Sequence, residues 1–373
     1  MFRSFLQAGF EGTTGYNRHG EWIDQIVATE HDLHVSEDYA RLRELGVLTI
    51  REAVRWPLVQ RAPRRYDFSS LDPFLAASSK HGLEIIYDLF HFGYPSHLDI
   101  FAADFPQHFA DYCYAVGSYL REQMPDARYF TPVNEPSFFA WAGGEMGLFA
   151  PHARGRGHEL KIQLIRAAIA GINALRVVYP RARIVNVDPL CRVTAPLGAA
   201  NHHADVTHFN EQVVFQSWDM LSGRLLPELG GSPRHLDIVG INYYWTNQWE
   251  LGGTTLAEED ARRVRLATLI SAVWQRYRAP LLITETSHRE DARAVWWRTL
   301  TEEVTTLLHK NIPLHGVCLY PILSMPEWHA RHEWAQLGLW DLEVRAGRLA
   351  RIPHAPLLEA VRAAQWPQRS AQL

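Results

Sequence analysis

Pro280-Leu281-Leu282-Ile283-Thr284-Glu285-Thr286 is a short apolar run that ends on a carboxylate. Its core has no polar residue alternating with the apolar ones, as expected of a strand buried on both faces. Strands of that kind belong to parallel sheets covered by helices. A second stretch has the same form: Tyr129-Phe130-Thr131-Pro132-Val133-Asn134-Glu135-Pro136 also delivers a glutamate at its end. Burying a carboxylate at such a place is costly without a purpose.

Outward from these two stretches, the chain alternates. Strand-like runs fall at Phe5–Phe10, Leu48–Ala53, Glu84–Leu89, Arg128–Val133, Arg183–Asp188, Leu236–Ile241, Leu281–Glu285 and His315–Tyr320, eight in all. Helical spacing fills the intervals. Glu37–Leu45 places Tyr39, Leu42 and Leu45 three residues apart and stops at Gly46, where a left-handed cap costs little. Phe109, Tyr112, Val116 and Tyr119 form another apolar face, and Leu160–Tyr179 halts at Pro180. Val206–Leu221, Arg262–Tyr277, Ala292–Lys310 and Leu357–Ala364 complete the predicted helices. Eight strands alternating with helices predict an α/β chain folded as a (β/α)8 TIM barrel. A doubly wound sheet would need a glycine-rich phosphate turn after its first strand, and Gly9, Gly12 and Gly15 have the wrong spacing. No linker, repeat or low-complexity segment divides residues 1–373, which are expected to form one catalytic domain.

Composition narrows the partners. With 47% apolar and 21% charged residues, the 373-residue chain has ordinary globular usage, which excludes a disordered or collagen-like chain. No apolar run approaches the roughly 18 residues of a membrane span. The 37 basic residues are outnumbered by 41 acidic ones, so the surplus that binds nucleic acid is missing. Cys113, Cys191 and Cys318 are few, odd in number and far apart, which predicts free thiols in a reducing compartment. Met1-Phe2-Arg3-Ser4-Phe5 lacks the apolar core of a signal peptide, and the cytoplasm is the expected location. Thirteen Trp, 14 Tyr and 16 Phe exceed the usual share; such rings pack cores and also stack on sugars.

An isolated glutamate at a strand end reads first as a salt bridge or a helix cap. Two of them, closing the fourth and seventh of eight strands, read as the pair that glycoside hydrolysis requires. One carboxyl protonates the leaving oxygen, and the other attacks the anomeric carbon or activates water. The 19 histidines raise a metal alternative through His31 with His34, His202-His203 with His208, and His329 with His332. A metal-dependent barrel hydrolase wants a His-x-His on its first strand, and Phe5–Phe10 contains no histidine. No metal is expected.

At this level of detail the chain resembles glycoside hydrolase family 1, the β-glucosidase and β-galactosidase family of clan A. Asn134-Glu135-Pro136 followed by Phe138-Phe139-Ala140-Trp141 is similar to the family's acid/base strand, and Ile283-Thr284-Glu285 to its nucleophile strand. Arg51, five residues before Trp56, resembles the arginine of strand two. His91-Phe92-Gly93-Tyr94-Pro95 resembles the segment after strand three, and Asp237 to Tyr244 resembles strand six. Glu327-Trp328, then Leu337-Gly338-Leu339, resembles the loop after strand eight. The matches run in order from about residue 5 to about residue 345, nearly the whole chain.

The resemblance implies a role for each residue. Glu135 would be the general acid/base and Glu285 the nucleophile. Asn134 would meet the sugar 2-hydroxyl, and Arg51 would lie beneath the nucleophile and keep it ionised. Tyr244 would donate to Glu285, and His91 would touch a hydroxyl of the sugar in the −1 subsite. Glu327 would accept from the sugar's distal hydroxyls, with Trp328 lining the same pocket. Asn242 and Glu11 would add substrate contacts, Glu11 standing where a sugar-binding glutamine is expected. The chain departs from the family at Thr284-Glu285-Thr286-Ser287-His288, at Tyr320-Pro321 and at Ser324-Met325-Pro326. Those positions supply the distal sugar contacts, so the chemistry transfers more securely than the choice of sugar. The expected activity is retaining hydrolysis of a terminal β-linked sugar, glucose or galactose, from a carbohydrate substrate without a cofactor. The alternatives are another sugar, cleavage inside an oligosaccharide, a metal-dependent hydrolase and a catalytically silent carbohydrate-binding barrel. Oligomeric state is not legible.

Overall fold

Each of the eight apolar runs forms a strand, and the strands close into an all-parallel barrel in chain order. They are β1 (Leu6–Gly9), β2 (Thr49–Ala53), β3 (Glu84–Asp88), β4 (Tyr129–Thr131), β5 (Arg183–Pro189), β6 (Ile238–Asn242), β7 (Leu281–Thr286) and β8 (Leu314–Leu319). In this computed structural model, residues 1–198 and 202–367 are described. β1 closes the circle, pairing Leu6 with Val317 of β8 and Gln7 with Thr49 of β2. The (β/α)8 expectation therefore holds.

The helices around it are α1 (His31–Glu44), α2 (Asp72–His81), α3 (Phe105–Gln123), α4 (Gly157–Val178), α5 (His203–Glu211), α6 (Gln216–Leu221), α7 (Leu266–Tyr277), α8 (Ala292–His309) and α9 (Ala355–Ala363). Several differ from the sequence expectation, and α1 starts at His31 rather than Glu37. α2 was not anticipated, although Pro73 opens it and Gly82 closes it in the left-handed region at φ 63°. Its inner face, Phe74, Leu75, Ala77 and Ser78, is only partly apolar, which weakens the periodic signal. The single helix expected over Val206–Leu221 is broken at Gln212, whose φ of −128° leaves helical geometry; α5 buries no residue, whereas α6 buries Trp218, Met220 and Leu221. α7 starts at Leu266 rather than Arg262, because Arg262 is held by Asp260 and Glu250 and Arg263 by the carbonyls of Trp245 and Leu256. A hairpin, Trp340–Arg345 with Arg348–Pro353, follows the barrel and was also unforeseen.

Two apolar layers result. The larger lies between strands and helices and includes Tyr39, Ile50, Phe109, Ile172 and Ile283. α4 packs tightly on α3 at Gly171, where a Cβ would sit 2.7 Å from the Phe109 ring and 2.8 Å from the Cys113 sulfur. All three cysteines are free thiols. The smaller layer plugs the N-terminal end of the barrel with Phe2, Ile86, Tyr129, Val185, Val187, Ile238 and Leu282. Above that plug the lumen turns polar. Residues two steps further along the same strands, such as Asp88 after Ile86 and Thr131 after Tyr129, keep the inward orientation.

Among the described residues, no helix is long and apolar enough to cross a membrane, and no three His, Cys, Asp or Glu side chains gather to hold a metal ion.

Candidate active site

Both glutamates reach the lumen through local irregularities. Leu282 belongs to the lumen plug and Ile283 to the outer layer, so strict alternation would send Glu285 outward. The register of β7 against β6 shifts between Ile283 and Glu285, a bulge that turns Glu285 inward opposite Asn242. β4 ends at Thr131, and Glu135 takes left-handed geometry at φ 46° before a one-turn helix over Pro136–Phe139. A non-glycine residue in that region stores strain that surrounding contacts must hold, and such positions cluster at functional sites.

Arg51 on β2 is the hub beneath them, 1% exposed. Its Nη1 donates to Glu285 Oε1 at 2.5 Å, and its Nη2 donates to Asp88 Oδ2 and to Asn134 Oδ1, both at 2.6 Å. With Oδ1 occupied in this way, the Asn134 amide nitrogen faces His91 Nε2 at 3.2 Å. The other His91 nitrogen, Nδ1, lies 2.9 Å from Asp88 Oδ2. Glu11 accepts from the backbone N–H of Thr13 at 3.1 Å and from the Thr13 hydroxyl, and its Oε1 is 3.5 Å from His91 Nε2. Tyr244 donates to Glu285 Oε2 at 2.8 Å. Tyr320 stands beside the hub, with its ring 5.3 Å from the Arg51 guanidinium and its hydroxyl accepting from Gly12 N at 3.3 Å.

The two glutamates are held differently. Glu135 has one side-chain partner, Asn242, whose amide nitrogen donates to Oε1 at 2.8 Å while its own oxygen accepts from Thr284 at 2.6 Å. Burial raises the Glu135 carboxyl far above its ordinary range, the Glu285 charge adds to this, and Asn242 opposes it. Behind it Asp188, bound by Ser137 through N–H and hydroxyl at 3.0 and 2.5 Å, contributes a further negative charge. Burial raises Glu285 too and leaves it above its ordinary range, although Arg51 and then His91 pull against the rise. Of the two, Glu285 ionises first.

Arg51, Asn134, His91, Glu11, Tyr244 and Glu285 thus form one connected cluster, and Glu135 with Asn242 and Thr284 forms a second chain, coupled to it through the Glu285 charge. Asn242, expected as a substrate contact, is fully buried and donates to Glu135. Glu327 and Trp328 stand apart. Glu327 is half-buried and paired with Arg289 at 2.7 Å, while Trp328 packs edge-on against Phe149 and Phe92 at 5.5 and 6.0 Å. Among the described residues no hydrogen bond or ion pair joins Glu327 to the Arg51 cluster. Of the tryptophans that follow strand ends, Trp141 is 48% exposed, Trp245 is half-buried against His288, and Trp249 packs on Phe209 at 5.5 Å. Sequence reasoning missed Asp88, Asp188 and Thr284. Asp88 carries the same signal as the glutamates, a carboxylate closing an apolar strand.

The fold and this cluster define a (β/α)8 barrel whose C-terminal mouth sets a cation-bound glutamate, Glu285, beside one without a cation, Glu135. No family model matches the chain, and no curated protein matches it. Solved structures do. The chain is similar to a family 1 β-glucosidase from Thermotoga maritima, with a TM-score of 0.78 at 17% identity over 96% of each chain. The same organism's β-glucosidase in complex with glucoimidazole gives 0.76 at 17% identity, again over 96% of each. An AHE enzyme from Alicyclobacillus herbarius gives 0.77 at 19% identity over 98% of each. These likenesses bear out the expected barrel along nearly its full length, and with it the resemblance to family 1 at the level of fold.

Proposed function

We propose that the protein is a retaining β-glycosidase that removes a terminal β-linked sugar, glucose or galactose, by double displacement. The observation that carries this reading is the asymmetry of the pair: Glu285 bound by Arg51 and Tyr244, Glu135 buried with only the Asn242 amide. A protonated Glu135 gives its proton to the leaving oxygen while ionised Glu285 attacks the anomeric carbon. Once Glu285 carries the sugar its charge is gone, and the largest charge acting on Glu135 goes with it. Glu135 then loses its proton more readily and serves as base for the incoming water. Asn134 has a second amide hydrogen beyond the one facing His91, suited to the sugar 2-hydroxyl. The reaction draws on water and two carboxyl groups and asks for no cofactor. We take the whole chain as one catalytic domain acting in the cytoplasm.

The test is hydrolysis of nitrophenyl glycosides covering both anomers and several sugars. Glu285→Ala is expected to abolish turnover with the fold intact. Glu135→Ala is expected to spare activated aryl glycosides, whose leaving groups need little protonation, far more than natural ones. Full activity in both variants would overturn the assignment. A wild type inactive across the panel, with Glu285→Ala no different, would favour the silent sugar-binding barrel.

A further inference from the structure

Asp88 ends β3, three residues before His91, and is 2% exposed. Its Oδ2 accepts two hydrogen bonds, from Arg51 Nη2 at 2.6 Å and from His91 Nδ1 at 2.9 Å. Its Oδ1 is buried without a partner, as is the hydroxyl of Thr131, its register neighbour on β4. A carboxylate this deep would be expelled or neutralised unless a cation held it, and Arg51 is that cation.

Two consequences follow. Arg51 carries one positive charge and divides it between Asp88 and Glu285. An ionised carboxylate can only accept, so the His91 nitrogen facing Asp88 must bear the hydrogen. That leaves Nε2 as the nitrogen turned toward Asn134 and Glu11. Taking Glu285 as the nucleophile, as the proposed function does, we propose that Asp88 is a positioning residue of the active site. It shares Arg51 with the nucleophile and fixes His91 through Nδ1, so it sets how strongly Glu285 is held as a carboxylate and which imidazole nitrogen meets the sugar. It acts through Arg51 and His91 rather than on the substrate.

The groups that bear on Glu285 come from every side of the barrel. Arg51 stands on β2, His91 follows β3, Glu11 follows β1, and Glu135 follows β4. Tyr244 follows β6, Cys318 lies on β8 and Tyr320 follows it. Asp88 on β3 is held by two members of this set, Arg51 and His91, and removing its charge keeps the shape. Arg51 is then left to Glu285 alone, and a nearby anion disappears. Both effects favour ionised Glu285; the loss of Asp88 also weakens the His91 charge that favours it, and Arg51, the stronger of the two cations, sets the direction.

The experiment is Asp88→Asn, compared with wild type and Glu285→Ala on a nitrophenyl glycoside that the wild type cleaves. The acid limb of the kcat/KM profile is expected to move down by about one pH unit. At the optimum, kcat is expected to fall more than KM changes, because a better-held carboxylate is a poorer nucleophile. A purely structural role would lower activity at every pH and leave the limb in place. Should Asp88→Asn fail to fold, Asp88→Ser tests the same charge with a smaller neutral side chain. An inactive Glu285→Ala beside an Asp88 variant whose limb is unmoved, or moved up, overturns this proposal alone. An active Glu285→Ala overturns the nucleophile assignment beneath it.

Discussion

Replacing Tyr244 with phenylalanine removes one hydroxyl, the donor 2.8 Å from Glu285 Oε2. The acceptor is 4% exposed, so no bulk water stands ready to replace the lost bond. A hydrogen bond to a charged group is worth about 1.5–3 kcal/mol. At 1.36 kcal/mol per pH unit, its loss raises the pKa of Glu285 by about one to two units. The direction follows from which form the hydroxyl serves: a donor stabilises the carboxylate and does little for the acid. Tyr244→Phe is therefore expected to move the acid limb of kcat/KM upward, the reverse of the shift expected for Asp88→Asn. The kcat/KM profile is the right assay because it reports ionisations of the free enzyme. Tyr244→Phe should keep the wild-type melting profile near neutral pH within a few degrees. An acid limb that stays fixed in Tyr244→Phe, or moves down, would refute the view that Glu285 is the group titrating there.

Two further outcomes concern the scaffold. Gly93→Ala would place a Cβ 1.5 Å from the Thr14 carbonyl oxygen and 2.6 Å from its carbon, a clash with backbone that no rotamer relieves. Thermal unfolding should show a loss of at least about 1–3 kcal/mol, with activity falling because the chain after His91 shifts. Beside β2, His31 binds Asp38 and Glu52 at 2.8 and 3.0 Å, and Arg351 of the C-terminal hairpin grips Asp38 at 2.8 and 2.9 Å. Burial alone would lower the His31 imidazole, but Glu52 and Asp38 together raise it. Burial alone would raise Asp38, but His31 and Arg351 together lower it. The Asp38 contribution is present above its unfolded pKa and lost as pH falls through the lowered folded value. The His31 contribution is present below its unfolded pKa and lost as pH rises through the raised one. Denaturant unfolding should therefore show greatest stability between these limits, and Asp38→Asn should cost about 3–5 kcal/mol there. A wild-type midpoint indifferent to pH would refute the linkage.

The barrel was legible because buried parallel strands advertise themselves. Runs such as Leu281-Leu282-Ile283 and Ile184-Val185 admit few other readings, and eight of them in alternation leave little choice of topology. What escaped was whatever depends on weak periodicity or on contacts distant in sequence. α2 presents Ser78 and Ala77 to the barrel where a stronger signal would need leucines. The break at Gln212 follows from Trp218 and Phe215 needing to reach the core, which no local rule reveals. The hairpin at Trp340–Pro353 is held by Arg351 reaching Asp38, more than 300 residues away.

The site was legible as residue types and illegible as geometry, for a physical reason. A carboxylate closing an apolar strand signals itself through its cost of burial, and that argument found Glu135 and Glu285. Applied evenly, it would also have found Asp88, which closes Glu84–Asp88 in the same way. Which way each carboxyl points is decided by one-residue events: the bulge after Ile283 and the left-handed turn at Glu135. Strict alternation predicts that Thr284 and Glu285 face opposite sides, and the bulge gives both to the lumen, where Thr284 sets Asn242 and Asn242 sets Glu135. The two glutamates are therefore linked twice, through charge across the lumen and through the backbone of β7, where Glu285 follows the Thr284 that holds Asn242 on Glu135. Restoring plain alternation in β7 would break both couplings at once, which ties the bulge itself to the proposed chemistry.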